Sequence, residues 1–327
     1  MLSLAVIAGL WSTSSAHAED FARGVPYVTL RDRLEETDRG VVYGDDRSTL
    51  KAGHCILEQT NLDFLSQAAK LAPFYVPEEI LRVDTVREKP LATVLGELGA
   101  APVLYVHGYY IDFDKGCRRA TLLKEGAGLD QRFLWFSWPS DGTLLNYAHD
   151  EVNLFWSVSE IVRLIIEMHD LSGDQTLNLA GHSLGARGVV LALHEISWTR
   201  PDIKLDNVVL LAPDMDFEIF TKLLSRIQKV SNRISLYTSD ADRALSVSSQ
   251  LHGYPRLGLS GNDIAALKGL EVIDTSDLPT MSPNGHLYHI HNEEVGRDLD
   301  QLFNLGLPAS ERRGLVQVGP NLWQLQP

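Results

Sequence analysis

Five consecutive residues, Gly181-His182-Ser183-Leu184-Gly185, hold a serine between two glycines in the order Gly-x-Ser-x-Gly. The pattern carries chemistry only where a strand runs straight into a helix. That context is present here. An apolar stretch, Gln175 to Ala180, leads into it, and Leu184, Val189, Val190, Leu191 and Leu193 supply the apolar residues of a helical pattern behind it. A serine on so sharp a turn is held out at the top of a sheet only if its neighbours let two chain segments pass closely. Gly181 and Gly185, which lack Cβ, permit that. Ser183 is therefore the candidate nucleophile. The same turn aims the Leu184 N–H and the positive end of the helix at the place where an attacked carbonyl oxygen gains negative charge. The competing reading is a helix cap that happens to contain glycine and serine.

A serine hydroxyl is a poor nucleophile near neutral pH, so it needs a base, and the base needs a group that fixes its tautomer. On a strand-turn-helix scaffold of this kind the partners follow in the order serine, acid, histidine. Downstream, Thr238-Ser239-Asp240-Ala241-Asp242 ends one apolar strand, and His286 follows the loop Thr275 to Gly285 after the next. His286 is the candidate base, because it lies in an irregular segment before the helical run Val295 to Phe303. His289 and His291, at the start of that run, are expected to be solvated or capping residues. Asp242 is the preferred acid and Asp240 its first rival. Asp214 and Asp216 come third, since each precedes the apolar stripe Phe217, Phe220, Leu223, Leu224, Ile227 and suits a helix N-cap. A second oxyanion donor is expected after the first parallel strand, in His107-Gly108-Tyr109-Tyr110, where the Tyr109 N–H would partner that of Leu184. His107 itself reads as a hydrogen-bonded loop histidine.

These residues must be positioned by the elements around them. Apolar strands are expected at 101–108, 132–138, 175–180, 207–212, 233–237 and 270–274, separated by segments of helical length and period, notably Glu151 to Leu171 and Phe217 to Val230. Continuous apolar strands alternating with helices predict an α/β fold whose mostly parallel sheet carries helices on both faces. Ligands bind such sheets at the carboxyl ends of the strands, where all the candidates lie. Earlier in the chain, Val25 to Leu30 and Val41 to Tyr43 read as the first, antiparallel strands, Asn61 to Leu71 as a helix and Val83 to Val86 as a further strand.

With 327 residues, 44% of them hydrophobic, the chain is long enough for one large core, and one domain over 19–327 is the simpler organisation: a core at about 99–305, a strand extension at 21–98 and a tail at 306–327. The net charge of −14 argues against nucleic acid or an anionic membrane surface as the main partner. Leu2 to Leu10 is almost wholly apolar and Ala16-His17-Ala18 fits a small-x-small cleavage pattern, so residues 1–18 read as a secretory signal, although no Lys or Arg precedes the apolar run. Too short to span a bilayer, that run implies export to the periplasm or medium rather than stable membrane insertion; the alternative is an ordinary buried N-terminal helix in a cytoplasmic protein. Export bears on Cys55 and Cys117, the only cysteines: an oxidising compartment permits a bridge between them, and two buried thiols are the alternative. Neither cysteine belongs to a cluster with metal-ligand spacing.

From Val103 to Leu305 the sequence resembles a largely bacterial family of α/β-hydrolases (DUF900-type), catalogued as a domain of unknown function and described as esterase- or lipase-like. The blocks that carry the resemblance are Tyr105-Val106-His107-Gly108-Tyr109, Phe136-Ser137-Trp138-Pro139-Ser140-Asp141-Gly142 with Tyr147 and Asp150, the serine turn, Ala212-Pro213-Asp214-Met215-Asp216, Leu236-Tyr237-Thr238-Ser239 with Asp242 to Leu245, Leu251-His252-Gly253, and Gly285-His286 with Tyr288. The resemblance implies an α/β-hydrolase fold and places the family's serine, acid and histidine on Ser183, Asp242 and His286. It departs at Tyr110, where the family usually has Asn, and in the tail after Pro308, whose Val316, Val318, Leu322 and Trp323 suit an extra strand. Ser140 and Asp141 are expected to line the cleft or cap the helix of Asp150, and Phe113, Leu144, Leu145 and Tyr147 to form an apolar wall or join the core. The implied activity is cleavage of a small carboxylic ester through an acyl-enzyme, with no cofactor. The same machinery serves thioesterases, amidases and acyltransferases, and a catalytically silent binding protein is the alternative of another class. Oligomeric state is not legible.

Overall fold

The computed structural model describes residues 23–58, 81–143, 146–173, 176–280 and 282–327. The leader reading of 1–18, the helix expected at 61–71, and Leu144, Leu145 and Gln175 lie outside the described residues. The strands β1 (Gly24–Thr37) and β2 (Gly40–Leu57) form a long antiparallel hairpin, and β3 (Val83–Glu88) pairs antiparallel with β2. Next come β4 (Val103–Val106), β5 (Phe133–Ser137), β6 (Asn178–His182), β7 (Leu205–Leu211), β8 (Ser231–Thr238) and β9 (Glu271–Asp274), all mutually parallel. The tail adds β10 (Leu315–Gly319) and β11 (Leu322–Leu325). All eleven strands found among the described residues belong to one sheet, in the spatial order β3-β2-β1-β5-β4-β6-β7-β8-β9-β11-β10.

Towards its two ends the sheet goes further than two of the expectations. The opening strands are antiparallel to each other, but β1 offers its second edge to β5 in parallel, with Tyr27 opposite Trp135 and Thr29 opposite Ser137. Tyr27, Val28 and Leu30 are accordingly buried on both faces, as an interior parallel strand requires. The tail supplies two strands rather than one: β11 runs parallel beside β9, and β10 folds back on it.

Helices cover both faces. Along β4 the side chains alternate, Leu104 and Val106 facing one core and Val103 and Tyr105 the other. The first core is closed by α1 (Leu91–Gly96), α3 (Tyr147–Ser172), α4 (Leu184–Thr199) and α5 (Phe217–Ile227); α2 (Phe113–Gly126) and α8 (Glu293–Leu305) close the second. Two shorter helices, α6 (Arg243–His252) and α7 (Tyr288–His291), sit at the carboxyl end of the sheet. Cys55 on β2 and Cys117 on α2 are joined in a buried disulfide. It fastens the edge hairpin to the helix that follows the loop of Tyr109.

Candidate active site

Ser183 stands between the last residue of β6 and the first of α4, with φ 54° and ψ −122°. Such a conformation is costly for a residue with a Cβ and persists only where the surroundings enforce it. Two main-chain bonds enforce it: Ser183 N–H donates to the Leu211 carbonyl (3.0 Å), and its own carbonyl accepts the Asp214 N–H (3.1 Å). Gly185 makes the turn possible, since a Cβ there would lie 2.3 Å from the carbonyl oxygens of Val106 and His107. The turn and β4 therefore interlock.

Asp242 and His286 meet at the neighbouring strand ends. Asp242 follows β8 and is the N-cap of α6, its Oδ1 accepting the Leu245 N–H at 2.9 Å; its Oδ2 lies 2.6 Å from His286 Nδ1, with the carboxylate fully buried. Burial alone would lower the affinity of the His286 ring for a proton, but the Asp242 charge and hydrogen bond outweigh it and hold the pKa above the ordinary histidine value. The bond also fixes the proton on Nδ1, leaving Nε2 as the acceptor. Gly285, at φ 69°, brings the two loops together: a Cβ there would lie 2.4 Å from the Ala241 carbonyl oxygen. Tyr288 pins the same loop from below, its hydroxyl donating to the Tyr237 carbonyl and accepting the Ala212 N–H.

The rival acids fall elsewhere. Asp240 is exposed, and its main-chain N–H donates to the Ser276 hydroxyl oxygen at 2.9 Å. Asp216 is an N-cap, accepting the Ile219 N–H at 2.9 Å. Asp214 departs from the N-cap expectation, because its buried carboxylate accepts the hydroxyls of Tyr147 and Ser248 (both 2.7 Å) and pairs with Arg256 at 3.2 Å. Two hydrogen bonds and an ion pair occupy this buried carboxylate in place of a helix cap.

Leu184 opens α4, where a main-chain N–H has no partner within the helix. The loop of Tyr109 approaches from β4: a Cβ on Gly108 would lie 3.0 Å from the Ser183 Cβ. This loop is tied down by Asp150, a fully buried carboxylate near the start of α3 that accepts the Tyr110 N–H (3.2 Å), the Ser140 hydroxyl (2.5 Å) and the Asp141 N–H (2.7 Å). Asp150 thus holds the 140–141 loop rather than being capped by it. The fully buried Arg31 of β1 does the same from the other side, donating to the carbonyls of Ile111 (2.5 Å) and Ser140 (3.0 Å). His107 is a stacked structural residue: its ring lies 5.1 Å from that of Trp138, and burial, followed by the nearby Arg31 charge, pushes its pKa down to about 3. Of the two described residues of the suggested wall, Phe113 belongs to the core and Tyr147 stands edge-on to Tyr109.

Two buried groups around this site carry little signal in the sequence. Arg31 gave no signal, since a lone arginine inside a charged stretch looks solvated. His289 was expected to be solvated or capping, yet it is buried and its ring stacks 4.0 Å from that of His182. Apolar residues at 287, 288 and 290 were the available hint, because they mark this short helix as inward-facing.

The family model described as alpha/beta hydrolase of unknown function (DUF900) matches residues 89–303. The chain belongs to that family. Its members share the fold class seen here, and the match spans the serine turn, the Asp242 loop and His286. No curated protein matches the chain. Among solved structures, a CIB-like hydrolase from Thermoplasma acidophilum aligns at 15% identity over 67% of this chain and 91% of its own, with a TM-score of 0.34. A serine hydrolase without a lid from Xanthomonas campestris aligns at 13% identity over 85% and 95%, TM-score 0.35. An esterase from Pyrobaculum calidifontis aligns at 10% over 86% of both chains, TM-score 0.37.

Proposed function

We propose that this α/β-hydrolase is a serine esterase acting on small carboxylic esters. The observation that carries the reading is the buried bond between His286 Nδ1 and Asp242 Oδ2, beside a serine held at positive φ between strand and helix. In the proposed cycle His286 Nε2 takes the Ser183 proton as Oγ bonds to the ester carbonyl carbon. The N–H groups of Tyr109 and Leu184 receive the oxyanion. When the carbon–oxygen bond breaks, the departing alcohol takes the proton from His286, leaving the acyl group on Ser183. A water then attacks that acyl carbon, giving one proton to His286, and Ser183 leaves with it. Asp242 stabilises the imidazolium formed in both halves. No step calls for a cofactor. The Cys55–Cys117 bridge supports an oxidising compartment, in keeping with export.

The test is covalent capture. A fluorophosphonate should label wild-type protein at Ser183, and Ser183→Ala and His286→Ala should each abolish labelling together with hydrolysis of p-nitrophenyl esters. Ester turnover that survives in folded Ser183→Ala would overturn the mechanism. Parallel assays on a thioester and an anilide of the same acyl group would show whether the alcohol leaving group is preferred.

A further inference from the structure

His182 occupies the variable position before the serine, and its side chain is only 5% exposed. Its Nε2 lies 3.0 Å from the main-chain carbonyl oxygen of His286, across 104 residues of sequence. A carbonyl only accepts, so His182 carries its proton on Nε2 and donates it. The ring centroid lies 4.6 Å from that of His286 and 4.0 Å from that of His289, on which it stacks. Its Nδ1 faces the loop of Tyr109: a Cβ on Gly108 would fall 2.9 Å from it. One side chain thus bears on the three segments whose relative placement sets nucleophile, base and oxyanion loop.

We infer that His182 is a positioning residue, which clamps the His286 loop and the Gly108 loop to the serine turn. The inference rests on the serine-hydrolase reading above. The physical argument is that the Ser183 hydroxyl makes no hydrogen bond to the His286 ring among the described residues, so the spacing of nucleophile and base is set one residue away, by His182. The other ties of the His286 segment are the Asn284 carbonyl, which accepts the Arg243 N–H, the close approach of Gly285 to Ala241, the Tyr288 hydroxyl and the Asp242 contact, and none of these involves residues 181–185. Burial first, then the neighbouring His289 and His286 rings, keep His182 neutral, which suits a clamp that must not repel the imidazolium formed beside it.

Three variants separate this from a merely structural role. In glutamine the amide Nε2 stands the same number of bonds from Cα as the histidine Nε2, so His182→Gln keeps the donor; His182→Asn falls one bond short, and His182→Leu has none. Each is compared with wild type for fluorophosphonate labelling rate, for kcat and KM on a p-nitrophenyl ester, and for melting temperature. The expected result is a fall in kcat and labelling rate of about a hundredfold in His182→Leu and His182→Asn, as misplaced reacting groups give. KM should be little changed, and His182→Gln should recover most of the rate. If His182→Leu does not fold, the contrast between Gln and Asn decides alone. Equal rates in Gln and Asn, or full rate in either Asn or Leu, would overturn the inference. Failure of the underlying triad shows separately, as wild-type protein whose label is insensitive to Ser183→Ala or His286→Ala.

Discussion

Asp242 holds two partners on opposite oxygens: the Leu245 N–H at 2.9 Å and His286 Nδ1 at 2.6 Å. One carboxylate therefore caps α6 and orients a ring carried by a loop 44 residues further on. The cap fixes the carboxylate's rotamer, and the carboxylate in turn fixes the ring, so the histidine inherits its aim from a helix terminus. This division of labour makes the pair sensitive to changes that leave the fold alone.

The first consequence is a pH profile. A general base works only when neutral, and the Asp242 charge raises the His286 pKa above its ordinary value of about 6.5. The acid limb of kcat/KM should therefore fall above that value, with activity lost as pH drops through it. The linkage to stability has the opposite sense: a raised pKa favours the fold fully below the unfolded value, and that contribution fades as pH rises through the folded one. Asp242→Asn should lower kcat by about three to four orders of magnitude, because the amide can stabilise the wrong tautomer. Near-normal turnover in that variant would show that Asp242 does not serve His286.

Gly285→Ala is the sharpest local probe of the same pair. An added Cβ would lie 2.4 Å from the Ala241 carbonyl oxygen, at a residue with φ 69°. The loop must back away from the Asp242 segment, and the ring goes with it. Turnover should fall by about a hundredfold while the melt stays cooperative. An unchanged kcat would show that the loop has another way to keep the 2.6 Å contact.

Much of this arrangement was legible before folding. The strands β4 to β9 are short apolar runs buried on both faces, and Ser183, Asp242 and His286 sit where such runs end. The long hairpin was legible only in part, because Asp32 to Thr37 and Asp45 to Lys51 are exposed or half-buried and charged, and their extended state comes from pairing rather than burial. Asp214 misled in the other direction. Its place before an apolar stripe suits a cap, but the arginine and hydroxyls that claim it come from residues 147, 248 and 256, which no local pattern connects. His182 was invisible for a related reason: its partner is a main-chain carbonyl, which carries no sequence signature.

The disulfide invites a stability measurement. Cys55 and Cys117 are 62 residues apart in sequence and buried. Closing a loop of that length stabilises by about 4 kcal/mol through restriction of the unfolded chain. The double variant Cys55→Ala/Cys117→Ala should show a loss of that order in urea denaturation, and native wild-type protein should give no reaction with a thiol reagent until it is unfolded under reducing conditions. Two titratable thiols in unfolded, unreduced protein would contradict the bridge.

The tail provides the last prediction. Arg312 is fully buried and donates to Asp298 (2.8 Å), to Glu271 (2.7 Å) and to the Tyr237 hydroxyl (3.1 Å), while that hydroxyl itself donates to Asp298 at 2.5 Å. Asp298 lies on α8 and Glu271 on β9, so one guanidinium joins the tail to the last helix and to the sheet edge that β11 extends. Removing it strands a fully buried carboxylate. Arg312→Ala should cost about 3–5 kcal/mol of folding stability, whereas Arg312→Met/Asp298→Leu should cost less than the single change, because no unpaired charge remains. Chemical denaturation of both variants reads this out. A single variant within 1 kcal/mol of wild type, on the order of an exposed pair's contribution, would mean that the cluster is satisfied without Arg312.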